Sequence, residues 1–198
     1  MQLRSVSFDT SFLLHYKPAI DTVIKLLAKD RIPSFITTTV VSELEQLKVH
    51  GRISKNDYKR ALNRWFRVGA KTIDFKNRLL SDIFGKNCMK SMEKHHGAKA
   101  KNIANDCKIL VSNLKNGIDL FLSEDYHFTS KITKKVISEI KNAACNEYSQ
   151  MCNSHLYTID AITFLKAYNN GSIDIEIIEF NFKNIRKEGK LFHNRKGY

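Results

Sequence analysis

The sequence is poor in the signals of a membrane protein, a disulfide framework or a repeat array. No apolar run approaches the roughly 18 residues that a membrane span needs, so no membrane partner is expected. The N-terminal apolar stretch is broken by Asp9, and no small-residue cleavage site follows it, so no secretory leader is read there. The four cysteines (Cys88, Cys107, Cys145, Cys152) form no CxxC pair, and Cys107 falls on an apolar helix face. Reduced thiols in a cytoplasmic protein are therefore expected, rather than a disulfide frame or a zinc site. No internal repeat is visible. The only two prolines are Pro18, which interrupts any helix running on from Tyr16, and Pro33, which stands near a strand start.

Acidic residues are also scarce. The 198-residue chain has 20 Asp+Glu against 33 Lys+Arg, a formal net charge of +13. So large a positive field favours an anionic partner, with nucleic acid the first expectation. A hydrophobic fraction of 42% is enough for a buried core and excludes a disordered chain. The length fits one large domain with an appendage. The break at Asn169-Asn170-Gly171 divides it into 1–170 and a basic C-terminal extension, 171–198.

Strands and helices are expected to alternate. Leu3 to Phe8, Ile32 to Thr38, Val68 to Asp74, Ile118 to Leu122 and His155 to Ile159 read as strands. Ile20 to Leu27 is amphipathic, which makes the opening a βαβ unit. A new helix starts near Thr39, with Thr39 or Ser42 as its cap and Glu43 in its first turns. Residues 44–67 read as a helical hairpin broken at His50-Gly51. Its second half carries Arg52, Lys55, Lys59, Arg60, Arg64 and Arg67, candidates for phosphate contact. Leu62, Trp65 and Phe66 are read as core. Phe75 to Phe84 is expected to be a helix ended by Gly85. Lys86 to Lys101, with His95 and His96, is expected to be a solvated loop or helix lead-in. Ile103, Cys107, Leu110, Val111 and Leu114 share a helix face, and Asn116-Gly117 stops that helix. A long helix follows from Lys131 to about Cys152, and a last one spans Asp160 to Tyr168. Ile173 to Phe182 alternates as a strand would. This order argues an α/β fold with a mainly parallel sheet.

Four carboxylates fall at comparable places in that order. Asp9 ends the first strand, Glu43 follows the second, and Asp125 follows the fourth. Asp106 lies on the helix that feeds the fourth strand. In an open α/β sheet, ligands bind at the carboxyl ends of the strands. Carboxylates gathered there repel one another unless a cation or a shared proton relieves them. Hard oxygen donors without His or Cys suit Mg²⁺ or Mn²⁺. Such an ion activates water and stabilises a phosphodiester transition state. Ser123 is placed to orient Asp125 or a bound water, and Thr10 and Ser11 to orient Asp9.

On these residues the chain resembles the PIN-domain family of ribonucleases, which includes VapC-type toxins. The matching pieces are Ser-Phe-Asp9-Thr-Ser-Phe-Leu-Leu, Thr-Thr-Val-Val-Ser-Glu43-Leu, Asn-Asp106-Cys-Lys-Ile-Leu, and Phe-Leu-Ser123-Glu-Asp125-Tyr-His127-Phe, with Leu156 to Tyr168 as a closing strand and helix. The resemblance covers roughly residues 3–168. It implies a three-layer α/β/α sandwich with a parallel sheet and an acidic Mg²⁺/Mn²⁺ site. It implies endonucleolytic cleavage of single-stranded or structured RNA by a metal-activated water, with Asp9, Glu43, Asp106 and Asp125 as catalytic and metal-holding residues. Dimerisation, and an antitoxin partner for a VapC-type member, are also family properties. His127 stands where the family often has a further acid, and contact with phosphate is its alternative role. The basic tail after Gly171 lies outside the usual domain. The competing reading is a PIN-like scaffold that binds RNA or protein without cutting. A phosphatase is disfavoured, because Ser11 stands where an Asp-x-Asp nucleophile motif needs its second acid.

Overall fold

In the computed structural model, residues 1–97, 100–145 and 154–180 are described, without the side chains of 78–80 and 100–102. Short apolar runs form the strands. They are β1 (Val6–Phe8), β2 (Ser34–Thr37), β3 (Lys71–Ile73), β4 (Leu120–Leu122) and β5 (Tyr157–Ile159). Every residue of β1 and β4 is buried, which fits strands covered on both faces. The five strands form one parallel sheet in the order β3-β2-β1-β4-β5. The chain builds outward from β1 through β2 to β3, then returns to lay β4 on the other side of β1. The carboxyl ends of β1 and β4 therefore flank the topological switch point, where open α/β sheets form their ligand crevice.

The helices are α1 (Thr10–Leu14), α2 (Pro18–Lys29), α3 (Thr38–Val49), α4 (Lys55–Arg67), α5 (Arg78–His96), α6 (Ala100–Lys115), α7 (Tyr126–Thr129), α8 (Lys131–Cys145) and α9 (Ala161–Ala167). Pro18 opens α2 at its first position, where its missing N–H is no loss. Gly117, with φ 64°, ends α6 in the left-handed conformation that a side chain would resist. α2 packs on α4 and α9, while α5 packs on α6 and α8. This is an α/β architecture around a parallel sheet, compatible with a three-layer sandwich. Phe8, Phe12, Phe121, Phe128 and Phe164 are fully buried in its core. Each contributes about 1.5–3 kcal/mol of transfer free energy.

Several expectations are corrected. The helix beginning near residue 78 does not stop at Gly85 but runs to His96, so Lys86–His96 is helix rather than loop. An added Cβ at Gly85 would meet nothing, so the glycine simply lies in an open helical position. The strand expected from Ile173 is also absent. Ser172–Ile173 pair with Tyr168–Asn169 in a small antiparallel hairpin (β6, β7), and residues 175–180 are helical. Asp174 Oδ1 accepts the backbone N–H of Glu176 at 2.9 Å and so opens that helix. The expected boundary at 170 falls inside this hairpin. The N-terminus also ties to it: Leu3 N donates to Gly171 O at 2.9 Å, and Ile173 N to Met1 O at 2.8 Å. The expected basic tail from Lys183, the end of the helix toward Cys152, and Ala98 and Lys99 lie outside the described residues.

The cysteines depart from expectation too. Cys88 on α5 and Cys107 on α6 form a disulfide, with Cα atoms 5.5 Å apart. Cys145 is also disulfide-bonded. Both Cys88 and Cys107 are fully buried on facing helices. CxxC spacing does not reveal such a pair, because its partners meet only when α5 and α6 pack. Among the described residues, no helix is long and apolar enough to cross a membrane.

Candidate metal centre

Asp9 follows β1 directly and caps α1, its side chain accepting the backbone N–H of Ser11. It is 4% exposed. Its Oδ2 accepts the Ser11 hydroxyl at 2.5 Å and the Ser123 hydroxyl at 2.9 Å. With the Ser11 N–H at 3.2 Å, three donors converge on that one oxygen. Oδ1 has no hydrogen-bond partner among the described residues, which leaves one oxygen for another electrophile. Burial raises the Asp9 carboxyl to about 6, against the lowering effect of the two hydroxyls, and Glu43 adds to the rise.

Ser123 follows β4 directly. Besides donating to Asp9, its Oγ accepts the backbone N–H of Asp125 at 3.0 Å. One hydroxyl thus ties the end of β1 to the start of α7. Asp125 caps α7, its Oδ1 accepting the His127 N–H at 2.8 Å. Ser11 Oγ accepts the backbone N–H of Glu124 at 3.0 Å, a second tie between the two strand ends. Glu124 itself leaves the cluster. Its side chain pairs with Lys17 and accepts the Ala161 N–H at the start of α9.

Glu43 lies beyond the first turn of α3, and Thr37 is the cap, accepting the Val40 N–H at 3.3 Å. The expected caps Thr39 and Ser42, and the expected place of Glu43 in the first turns, are therefore corrected. Glu43 instead receives the Thr10 hydroxyl at 2.6 Å and the Asn105 amide at 2.8 Å. Thr10, expected to orient Asp9, orients Glu43. Sequence reasoning misses Asn105. The signal for it is its place beside Asp106, on the helix turn facing α3.

Asp106 completes the set. It has no hydrogen-bond partner among the described residues. Its carboxyl is raised to about 7, first by burial and then by the charges of Asp9, Asp125 and Glu43. Each of the other three carboxylates is felt at this one position. Asp9, Glu43 and Asp125 thus lie within electrostatic reach of Asp106 near the carboxyl edge of the sheet.

Among the described residues, no group of three or more His, Cys, Asp or Glu side chains is closed enough to hold a metal ion as it stands. The donor chemistry nevertheless fits a hard divalent cation. Four carboxylates act on one neighbourhood through their charges, and one of them is held by two hydroxyls and an N–H. Two of them, Asp9 and Asp106, have their ionised forms disfavoured by burial and by neighbouring carboxylates.

His127 lies at the rim, its Nδ1 3.8 Å from Asp125 Oδ1. Its ring meets that of His96 edge to face at 5.6 Å. The histidines of α5 are therefore not on a solvated face. His96 faces the site, with its pKa lowered by burial and by His127, and His95 bonds Glu139 on α8 at 2.8 Å.

The basic residues of the hairpin divide into two groups. Arg52, Lys55 and Lys59 are exposed. Arg64 is 3% exposed and is corrected from a surface phosphate contact to a buried group. Its Nη1 donates to the carbonyls of Leu13 at 2.7 Å and His15 at 2.8 Å, closing the C-terminal end of α1, and its Nε donates to Asp21 at 2.9 Å. Arg60 is half-buried and donates to Leu14 O at 2.9 Å and to Asp57. Phe66, expected in the core, is 71% exposed and stacks on Trp65 at 6.0 Å. A cleft of about 290 Å³ opens beside Glu43 and Asn105 and reaches His50 and Arg52.

No protein-family profile, curated protein or solved structure matches this chain.

Proposed function

We propose that the chain is a metal-dependent endoribonuclease of the PIN-domain type. The observation that carries the reading is Asp9, buried at the end of β1 with three donors on Oδ2 and none on Oδ1 among the described residues, beside an Asp106 carboxyl raised to about 7 by burial and by three neighbouring carboxylates. An uncompensated acidic cluster at a sheet switch point is costly, and a bound cation is the relief that chemistry supplies. Unscreened carboxylates repel, and a bound cation would draw the set closer.

In this reading Asp9, Glu43, Asp106 and Asp125 hold Mg²⁺ or Mn²⁺, which when bound supplies an activated water and neutralises charge developing on the phosphate. Ser11 and Ser123 fix Asp9 so that Oδ1 faces the cation. Thr10 and Asn105 fix Glu43. His127 stands at the rim, where a phosphate oxygen passes. The cleft between Glu43 and Arg52 gives the strand a path to the site, and the exposed Arg52, Lys55 and Lys59 add positive field. A net charge of +13 around an acidic centre suits a polyanionic substrate. A VapC-type toxin with an antitoxin partner, and a homodimer, are narrower forms of the same proposal.

The test is cleavage of end-labelled mixed-sequence RNA, and of DNA of the same sequence, with Mn²⁺ and with EDTA. Wild type is expected to cut RNA only with metal, and Asp125→Asn to fold without cutting. Tight binding with no product at any Mn²⁺ concentration would replace the proposal with a non-cutting RNA-binding scaffold.

A further inference from the structure

α4 carries a polar stripe. Asn56, Lys59, Arg60, Asn63, Arg64 and Arg67 recur at three- and four-residue steps and so share one face. That face lines a cleft of about 340 Å³ whose other wall is Asp21 and Ile24 on α2. The cleft is separate from the acidic cluster. The two share α1, however, with Asp9 at its N-terminal end and Arg60 and Arg64 at its C-terminal end. Five helical residues rise only about 7.5 Å, so a strand leaving the acidic cluster meets this cleft early.

Helix-end closure explains much of Arg60 and Arg64, but not all of it. Arg64 Nη2 and Arg60 Nε are buried without hydrogen-bond partners among the described residues. A buried cationic N–H left unpaired is costly. Nor does helix-end closure explain Lys59 and Arg67, which are exposed and have no ion-pair partner among the described residues. Of the four cations along the cleft, Arg64 is bonded to Asp21 and Arg60 to Asp57, which leaves Lys59 and Arg67 as the uncompensated pair. Two asparagine amides add neutral donors. This is the donor set of a phosphate site.

We propose that the groove between α2 and α4 binds a phosphate group, and that it holds a backbone phosphate of the RNA strand whose neighbouring segment enters the acidic centre. The second half of this statement rests on the nuclease reading. The first half stands on the groove alone. Lys59 and Arg67 grip the phosphate from the rim, while Arg60 and Arg64 supply the field of its floor.

The experiment uses the full chain in EDTA, so that binding is read without cleavage. Wild type is compared with Lys59→Gln/Arg67→Gln, in which glutamine keeps helix propensity and removes only charge, and with Lys59→Arg/Arg67→Lys, which keeps the charge. Two probes are used: inorganic phosphate, read by thermal shift, and a single-stranded 12-nucleotide RNA, read by anisotropy across a salt series. The glutamine variant is expected to lose the phosphate shift and to bind RNA about tenfold more weakly. Its salt slope should be shallower by about 0.7, the value for one lost phosphate on a single strand. The charge-keeping variant should retain both. Loss of the phosphate shift with RNA binding unchanged overturns the strand assignment and leaves a free-anion site. No change in either probe overturns the proposal outright. Because no arm requires cleavage, failure of the nuclease reading appears separately, as metal-dependent cutting absent from the wild type.

Discussion

The hydroxyl of Ser123 donates to Asp9 Oδ2 at 2.9 Å, joining the carboxyl ends of two neighbouring parallel strands through one hydrogen bond. The same hydroxyl oxygen accepts the Asp125 N–H. Ser123 therefore sets the position of two of the four acids at once. In Ser123→Ala, Asp9 loses a bond that favours its ionised form, so its carboxyl rises further above about 6. The expected outcome is a rate–pH profile displaced to higher pH, with a loss of about tenfold at neutral pH. A lower rate with an unmoved profile would leave Ser123 a purely structural role.

Asp9 and Asp106 carry folded-state pKa values of about 6 and about 7, above the ordinary aspartate value of 3.8. Between about pH 4 and pH 7 these two carboxyls hold more protons in the folded chain than in the unfolded one. Their contribution to metal-free stability therefore falls as pH rises through that window. Asp106→Asn removes one of the repelling charges. It should raise the metal-free melting temperature at pH 8 by about 2–4 °C, equivalent to about 1 kcal/mol in a chain of this size. The gain should vanish at pH 5, where Asp106 is already protonated. A lower melting temperature at pH 8 would mean that the carboxylate there is stabilising.

Arg64 is buried against the last carbonyls of α1. Arg64→Met keeps much of the apolar stem, takes the guanidinium donor from both carbonyls and leaves His15 O only the Lys17 N–H. A loss of about 3 kcal/mol is expected, measured by urea unfolding. Because α1 starts at Asp9, metal affinity should fall with it. A loss of RNA affinity without a loss of stability would return Arg64 to the surface role.

The Cys88–Cys107 disulfide clamps α5 to α6 one residue from Asp106. It closes a loop of 19 residues in sequence, for which about 3 kcal/mol of stabilisation is the ordinary scale. Reduction should lower the melting temperature, and Cys88→Ala/Cys107→Ala should lower it by part of that amount, because reductant also opens the disulfide at Cys145. Identical melting with and without reductant would show the pair to be thiols in solution.

Much of the site can be read from the sequence because its signals are local. Asp9, Asp125 and Asp160 each stand where an apolar run meets a helix start, and all three are helix caps. Asp106 is placed by the periodicity of the helix that carries it. What stays hidden depends on packing between distant segments. Arg64 reads as a surface cation until α1 ends against it. Gly85 reads as a stop unless the helix is seen lodged against α6 and α8. Asn105 and Thr10 gain their roles only when α3 brings Glu43 between them. The stretch after Gly171 fits both periods. Ile173 and Ile178 are the buried residues, and Asp174 tips the choice toward helix by capping it.

The most direct test of the central claim is Mn²⁺ binding, measured by calorimetry at pH 7.5 in the absence of any nucleic acid. Wild type is compared with Asp9→Asn, Glu43→Gln, Asp106→Asn and Asp125→Asn. One shared site predicts that each substitution weakens binding at least about tenfold, since each removes a charged ligand. It also predicts proton release on binding to the wild type that grows as pH is lowered toward 6, because the metal displaces protons from Asp9 and Asp106. Affinity unchanged in all four variants, with no proton release, would contradict a common cation site and with it the nuclease assignment.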